Sequence, residues 1–317
     1  MASSSSTPTP APTTSTPAPT TTTTKSPRPL ENKLAIITGA SRGIGAAVAR
    51  LLAARGCSLV LNHATEASAK LAADLAAKLR ARHGVVAAAV RADVGEEGGP
   101  GEIVEAARGV WGEMNGGEGE GDGKEGEMRI DVLVNNAAVQ AKAYLGDIRP
   151  EEFWRVYKIN VLGTAMLTQA VVPYLPWDRS GRIVNMSSVV NSNGMAGYSI
   201  YGGTKGAVEA MTRVWATELA ERATVNAVNI GPTMTDMYQD IPVEVLADVL
   251  KSWFPTAPLS AVRDHDSDRM KYFADALGGR PGYPDEVAGI VAMLCLPESG
   301  WTTGGLIGAN GGGRVSY

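Results

Sequence analysis

The stretch KLAIITGASRGIG, from Lys33 to Gly45, decides the fold. A short apolar run is followed by a glycine-rich loop and then by residues with helical periodicity. This order of strand, glycine loop and helix is the context in which a dinucleotide binds. Gly39 permits the tight turn, while Gly43 and Gly45 permit a pyrophosphate to approach the backbone at the helix N-terminus. A glycine loop alone is weak evidence, because any strand-to-helix turn can use glycine.

Apolar runs of the same kind recur along the chain and alternate with helical stretches. The runs are KLAIIT, SLVLN, VVAAAVRA, IDVLVN, GRIVNMS, TVNAVNI and GLIGA, and most are continuously apolar, as in strands buried on both faces. Helical stretches include Ile44–Arg55, Ala67–His83 and Glu151–Tyr174. The alternation predicts an α/β fold, a doubly wound, Rossmann-like parallel sheet of about seven strands. Ligands are then expected beyond the carboxyl ends of the strands.

Composition restricts the possible functions. The chain has 317 residues, 44% hydrophobic and 20% charged, as in ordinary globular proteins. A net charge of −4 does not indicate a nucleic-acid partner, and no apolar stretch is long enough for a membrane span. Cys57 and Cys295 have apolar neighbours, typical of buried thiols in a reducing compartment. The two cysteines and the three scattered histidines do not have the spacing of metal ligands, so we expect no metal site.

Two low-complexity segments depart from this pattern. Residues 1–29 are almost purely Ser, Thr, Pro and Ala, which predicts a disordered tail. A secreted stalk would need an apolar signal segment and a transit peptide would be Arg-rich, so we expect a cytoplasmic protein. Residues 112–128, GEMNGGEGEGDGKEGEM, predict a flexible acidic insertion. The remainder, residues 30–317, is expected to form a single domain.

A second motif, YGGTK, places Tyr201 four residues before Lys205. On a helix both side chains face the same ligand. A lysine ammonium about 4 Å away favours phenolate by about 4 kcal/mol at an effective dielectric of about 20. The tyrosine pKa, ordinarily about 10, is therefore expected to fall by about three units, into the range useful for acid catalysis. Gly202 and Gly203 between them are expected to admit another backbone or a cofactor.

With these motifs the chain resembles the short-chain dehydrogenase/reductase family, over nearly everything from Leu34 to Gly313. The glycine loop has the family's spacing, TGxxxGxG. Further motifs follow in the family's order: NNAA at residues 135–138, KIN ending at Asn160, IVNMSS ending at Ser188, NIGPTMT and GLIGANGG. The resemblance implies an oxidoreductase acting on C=O and CH–OH groups, similar to fungal naphthol reductases.

The resemblance also implies a catalytic set: Asn160, Ser188, Tyr201 and Lys205. The family's serine lies thirteen residues before its tyrosine, which selects Ser188 over Ser187 and Ser192. Tyr198 is assigned to the wall of the substrate pocket.

Each member of the catalytic set has an implied role. Tyr201 donates a proton to the carbonyl oxygen, to which Ser188 hydrogen-bonds. Lys205 lowers the tyrosine pKa and holds the nicotinamide ribose. Asn160 links Lys205 to solvent through a water; alternatively, it simply binds backbone.

NADP(H) is the expected cofactor. NAD enzymes usually carry an acidic residue at the end of the second strand. Here Asn62 and His63 occupy that place, and no carboxylate appears until Glu66. Arg42 in the glycine loop could pair with a 2′-phosphate, or be only a solvated residue. By likeness to the naphthol reductases, the phosphate would also contact Ala64 and Thr65.

The implied cofactor contacts extend along the carboxyl ends of the strands. Asp93 either caps a turn or, by the resemblance, contacts adenine. The implied contacts are Gly39, Ser41, Arg42, Gly43, Ile44, Gly45, Asn62, His63, Ala64, Thr65, Asp93, Val94, Asn136, Ala137, Tyr201, Lys205, Gly231, Thr233 and Thr235.

Residues 236–284 contain no strand signal and are expected to form a helical lid over the substrate. The large side chains in this segment are Met237, Tyr238, Trp253, Phe254, Met270, Tyr272 and Phe273. They favour a bulky, mostly apolar ketone, such as an aromatic ketone of secondary metabolism. Alternatively, they only pack the lid onto the body.

The sequence thus predicts an NADPH-dependent reductase of a ketone. The rival functions are an NAD-dependent alcohol dehydrogenase and a non-catalytic cofactor-binding scaffold; the intact catalytic set argues against the scaffold. The stretches Glu151–Tyr174 and Ser199–Glu221 are apolar all round, and a helix of that kind needs burial on every side. Together with the resemblance, this predicts a homotetramer, or else a homodimer.

Overall fold

A computed structural model describes residues 28–116, 128–239, 243–251 and 253–313. Within these residues, seven parallel strands form one sheet in the order β3-β2-β1-β4-β5-β6-β7. The strands are β1 (Leu34–Ile37), β2 (Ser58–His63), β3 (Ala87–Arg91), β4 (Val132–Asn135), β5 (Gly181–Met186), β6 (Ala223–Ile230) and β7 (Leu306–Ala309). Each predicted apolar run forms one of these strands, which confirms the predicted sheet.

Helices cover both faces of the sheet. In the described residues they are α1 (Gly43–Ala54), α2 (Glu66–His83), α3 (Gly99–Met114), α4 (Pro150–Tyr157), α5 (Thr164–Val171), α6 (Val189–Asn193), α7 (Ser199–Glu218), α8 (Asp236–Gln239), α9 (Val243–Leu250), α10 (Asp268–Leu277) and α11 (Pro284–Leu294). None of these described helices is both long and apolar enough to cross a membrane.

The predicted helix Glu151–Tyr174 is interrupted. A π-helical segment, Lys158–Gly163, separates α4 from α5, and a 3₁₀ turn follows at Val172–Tyr174. Gly163 lies so close to the loop after β3 that an added Cβ would stand 2.8 Å from the Val94 side chain. Pro173 provides no backbone donor, which accounts for the end of the helix. The π segment carries Asn160.

Two apolar cores lie on the two faces of the sheet, because successive strand residues point to opposite sides. In β1, Ile37 belongs to the core that contains Leu52 of α1 and Val291 of α11. Its neighbour Ile36 belongs to the other core, with Leu167 of α5. The central strands β1, β2, β4 and β5 are buried along their whole length, as their continuous apolar sequences predict.

The two low-complexity segments fall mostly outside the described residues. This applies to residues 1–27 of the predicted tail and residues 117–127 of the predicted acidic insertion. The prediction that the insertion begins at Gly112 is wrong by three residues, because α3 continues to Met114. In its last turn Glu113 pairs with Arg80 of α2, which anchors the helix end.

The described residues of segment 236–284 include α8, α9, two 3₁₀ turns and α10. Its small core includes Trp253, Phe254 and Phe273, together with Val189 of α6. Where the segment returns to the body, Arg280 forms a bidentate pair with Glu286 of α11, at 2.7 and 2.8 Å. Arg280 Nε also lies 3.7 Å from Asp266 Oδ2, and the side chains of Arg280 and Asp266 are 2% and 0% exposed.

Candidate active site

A cavity of about 550 Å³ opens at the carboxyl ends of the strands, where the chain passes from one half of the sheet to the other. Ligands of open α/β sheets bind at this place. The cavity wall brings together every predicted site residue except Gly45 and Asn160. Sequence reasoning did not single out several other wall residues: Ser68, Ala138, Val139, Gln140, Ile159, Val190, Met195, Leu246 and Leu250.

The glycine loop forms one end of the cavity. Gly39 and Gly43 have φ of +61° and +56°, the left-handed region that favours glycine. Helix α1 starts at Gly43 with neither a side-chain cap nor an acidic residue in its first turn. Its first N–H groups are therefore suited to an anion. At Gly45 an added Cβ would stand 2.5 Å from Gly39 O, so this glycine permits the loop to pack on the helix, and its contact with a pyrophosphate stays a prediction.

Next to the loop after β2, the glycine loop after β1 brings an arginine to the cavity. Arg42 donates to Asp236 Oδ2 at 3.1 Å and to Ser68 Oγ at 3.4 Å. The hydroxyl oxygens of Thr65 and Ser68 are 2.8 Å apart. Because Ser68 follows Thr65 by three residues, its place beside Thr65 could have been predicted from the sequence. Glu66, the first carboxylate after the strand, pairs with Arg91 instead.

The ends of β3 and β4 are fastened by hydrogen bonds close to the cavity. Asp93 Oδ1 accepts from Gly95 N at 2.9 Å, which corresponds to the turn-capping alternative. The backbone N–H groups of Asn136 and Ala137 both donate to Thr38 Oγ1, each at 2.9 Å. These bonds hold the loops after β1 and β4 together.

Helix α7 presents Tyr201 and Lys205 to the cavity on one face, as their spacing predicts. The Lys205 Nζ lies 5.5 Å from the centre of the Tyr201 ring and donates to Met186 O at 2.8 Å. Burial lowers the Lys205 pKa to about 8. Gly203 makes room for a side chain rather than a backbone or a cofactor, because an added Cβ would lie 2.5 Å from the Tyr157 hydroxyl oxygen.

The expected fall in the Tyr201 pKa is wrong. Burial raises the pKa of Tyr201 to about 12, although a hydrogen bond with Ser188 acts in the opposite direction. The phenol is desolvated, and the ammonium that was expected to offset this is itself buried and directed at Met186 O. Tyr201 is therefore a protonated donor at neutral pH.

Two adjacent serines at the end of β5 have different partners. Ser188 caps α6, accepting from Val190 N at 3.3 Å, and is bonded to Tyr201. Ser187 donates to Glu209 Oε1 at 2.5 Å. Glu209 lies one turn beyond Lys205 on α7. Its place on the same face of the helix as Lys205 could therefore have been predicted from the sequence. Ser192 accepts from Asn229 instead.

Asn160 lies outside the cavity wall and is 1% exposed. Its Oδ1 accepts from Val139 N at 2.9 Å, and its Nδ2 donates to Val139 O at 2.8 Å and to Thr204 Oγ1 at 3.1 Å. The side chain thus makes the backbone contacts that were its alternative role. Thr204 immediately precedes Lys205, so Asn160 supports this turn of α7.

No group of three or more His, Cys, Asp or Glu side chains in the described part of the chain could hold a metal ion.

Similarity to known proteins extends over nearly the whole chain. A family model described as short chain dehydrogenase matches residues 33–116 and 122–245. The L-xylo-3-hexulose reductase of Hypocrea jecorina is 46% identical, over 91% of this chain and 99% of that protein. The L-xylulose reductase of Aspergillus niger is 40% identical, over 90% and 98%. The tetrahydroxynaphthalene reductase of Pyricularia oryzae is 30% identical, over 89% and 90%.

Solved structures show the same fold. The angucycline C-6 ketoreductase LanV, with bound NADP, has a TM-score of 0.72 and 29% identity, over 89% of this chain and 96% of that chain. A short chain dehydrogenase from Burkholderia cenocepacia in complex with NADP has a TM-score of 0.70 and 29% identity, over 89% and 98%. The protein belongs to the short-chain dehydrogenase/reductase family and is an oxidoreductase acting on CH–OH and C=O groups.

Proposed function

We propose that the protein reduces a ketone to a secondary alcohol with NADPH. The observation that carries this proposal is that Tyr201, Ser188 and Lys205 meet in the wall of the cavity, with the Lys205 Nζ 5.5 Å from the centre of the Tyr201 ring. A protonated phenol is the form that donates to a carbonyl oxygen in reduction. Alcohol oxidation, the rival direction, needs the phenolate as a base.

The cavity fits a phosphorylated dinucleotide. The left-handed glycines and the uncapped start of α1 suit the pyrophosphate. Arg42 is the group that would bind a 2′-phosphate, alongside Thr65 and Ser68. The other predicted wall residues, including Asp93, Val94, Gly231, Thr233 and Thr235, would hold the adenine and nicotinamide ends. When bound, the reduced nicotinamide supplies the hydride.

The residues of this chain supply the proton and the orientation. Tyr201 donates its proton to the carbonyl oxygen as the new C–H bond forms, and Ser188 hydrogen-bonds to the same oxygen. Lys205, fixed by Met186 O, holds the ribose, and solvent returns a proton to the phenolate that remains. Asn160 supports the turn that carries Lys205, through its hydrogen bond to Thr204.

Polyhydroxylated ketones are the substrate class favoured by relatives of this chain. The two relatives named for keto sugars, at 46% and 40% identity, are more similar to this chain than the naphthalene relative at 30%. The polar wall groups Tyr198, Gln140 and Tyr238 suit such a substrate.

A bulky aromatic ketone of secondary metabolism is the second candidate. The apolar part of the wall, which includes Val189, Met195, Leu246 and Leu250, favours it. Among the large side chains first assigned to this role, only Met237 and Tyr238 line the cavity. Packing explains why: Trp253, Phe254 and Phe273 are buried in the core of the lid.

The proposed function is tested by NADPH oxidation with a panel of ketones. The panel contains a ketopentose, a tetralone, a short keto acid and a small aldehyde. We expect the ketopentose or the tetralone to be reduced with the highest kcat/KM. Absence of NADPH oxidation with every compound, while NADPH still binds, would support the scaffold alternative.

Arg42→Ala is expected to remove the cofactor preference. Loss of a charge-assisted phosphate contact should lower kcat/KM for NADPH by about 10- to 100-fold and leave NADH almost unaffected. Steady-state kinetics with both cofactors measure this, with Arg50→Ala of α1 as a control, because Arg50 pairs with Asp285 and is not part of the cavity wall. Equal efficiencies of the wild type with NADPH and NADH would contradict the assignment.

We also propose assembly into a homotetramer, or else a homodimer. The helical stretch from α4 to α5 and helix α7 expose large apolar side chains: Trp154 at 67%, Leu162 at 49% and Val214 at 54%. Burying them against a second copy would remove this apolar surface from water. Sedimentation velocity at micromolar concentration is expected to show an oligomer, and a monomer alone would contradict it.

A cytoplasmic location is proposed as well, supported by the two buried, free cysteines.

A further inference from the structure

A short hydrogen bond joins the end of β5 to α7 beside the candidate catalytic residues. The Ser187 hydroxyl group donates to Glu209 Oε1 at 2.5 Å, and Ser187 is only 2% exposed. A bond of this length between a hydroxyl group and a carboxylate is typical of charge-assisted pairs, which are about twice as strong as neutral ones. The bond therefore holds the Ser187 side chain firmly against α7.

The residues on either side of Ser187 contact the two candidate catalytic residues of the same helix. Met186 O accepts from Lys205 at 2.8 Å, and Ser188 is bonded to Tyr201. Three consecutive residues of the chain are thus each bonded to α7. A shift of the middle residue would move both of its neighbours relative to the helix.

The three partners on α7 follow one another at intervals of four residues, at Tyr201, Lys205 and Glu209. This spacing places them on one face of the helix. Tyr201 and Lys205 belong to the cavity wall, whereas Glu209 lies outside it. Any influence of Glu209 on the reaction is therefore exerted through the residue that it holds.

We propose that Glu209 is a positioning residue: by holding Ser187, it sets the distance between the end of β5 and α7, and with it the contact between Ser188 and Tyr201. This inference rests on the proposed reduction of a ketone and adds a residue to it. The carbonyl oxygen has to meet both hydroxyl groups at once, and a misplacement of about 1 Å can lower the rate about 100-fold. The rate then depends on a side chain that does not touch the substrate.

Glu209→Ala and Ser187→Ala test the inference, because each removes the hydrogen bond from one side. Each is expected to lower kcat for ketone reduction by about 10-fold and to leave the KM for NADPH almost unchanged. Glu209→Gln keeps an oxygen that accepts from Ser187, so it should retain kcat to within about threefold. Glu218→Ala, at the exposed C-terminal end of α7, is the control and should leave kcat unchanged.

The double variant Ser187→Ala/Glu209→Ala shows whether the two side chains act together. It should be no slower than the slower single variant, because both substitutions remove the same bond. Losses that multiply in the double variant would contradict the inference. If Glu209→Ala does not fold, a slow Ser187→Ala beside a nearly wild-type Glu209→Gln remains the expected result.

A bond that only stabilises the fold would give a different result. The free energy of unfolding would fall in Ser187→Ala and Glu209→Ala, but kcat of the folded variants, measured well below their Tm, would equal that of the wild type. That result would overturn the role of Glu209 and leave ketone reduction in place, as would a loss in Glu209→Gln as large as in Glu209→Ala. A wild-type enzyme that binds NADPH but reduces no ketone would overturn the proposed function, and the inference with it.

Discussion

Replacing Tyr201 with phenylalanine is expected to lower kcat for ketone reduction by about 10²- to 10⁴-fold, the usual contribution of a positioned acid. Phenylalanine keeps the ring and its contact with the Lys205 ammonium but removes the proton donor. The KM for NADPH should change little, because the glycine loop and Arg42 are untouched. Single-turnover measurement of NADPH oxidation tests the chemical step directly.

Tyr198→Phe is the matched control for this experiment. Tyr198 also lines the cavity and is buried, and it lies three residues before Tyr201. We expect an effect confined to the KM of the ketone. If Tyr198→Phe abolished turnover and Tyr201→Phe did not, the proton donor would have been assigned to the wrong tyrosine.

Replacing Arg280 with methionine is expected to lower the free energy of unfolding by about 3–5 kcal/mol, as when one partner of a buried ion pair is removed. Asp266 would remain fully buried without its cationic neighbour, and Glu286 would lose both bidentate bonds. Urea unfolding measures the loss. Arg263→Met removes another, more exposed partner of Glu286, at 40% exposure, and should cost no more than about 1 kcal/mol. Similar losses in the two variants would contradict the importance of burial.

The same pair predicts a dependence of stability on pH. The hydrogen bonds from Arg280 lower the Glu286 pKa to about 2, below its unfolded value of about 4.3. Because the pKa of Glu286 is lower in the folded state than in the unfolded state, its ionised form stabilises the fold at pH values above about 4.3. This stability is lost as the pH falls towards about 2. In Arg280→Met the stability should change less steeply over this range. Acid unfolding of the two proteins, followed side by side, provides the comparison.

The order of strands and helices could be predicted because buried strands and amphipathic helices leave periodic patterns in the sequence. The interruption of the helix that ends at Tyr174 could not be predicted from the apolar pattern, and neither could the close approach of Gly163 to Val94, a residue distant in the chain. The same applies to Gly203, whose lack of a side chain makes room for the Tyr157 hydroxyl group.

The positions of the candidate site residues followed from motifs, whereas their electrostatics did not. The spacing of Tyr201 and Lys205 placed both on one helix face, but gave no indication that Met186 O would take the ammonium or that burial would raise the tyrosine pKa. Likewise, aromatic residues between 236 and 284 could be counted in the sequence. Only the structure shows that Tyr238 lines the cavity, whereas Phe254 is buried in the small core of segment 236–284.

The location of Tyr238 on a four-residue helix has a consequence for how this enzyme can diverge. Tyr201 and Lys205 belong to a long helix packed on the central sheet, while Tyr238, Leu246 and Leu250 belong to a segment whose small core joins the body mainly at Val189 of α6. We expect mutations in that segment, away from Val189, to alter which molecule is accepted and to leave the proton donor in place. A duplicate gene could then acquire a new substrate by changes in this segment alone.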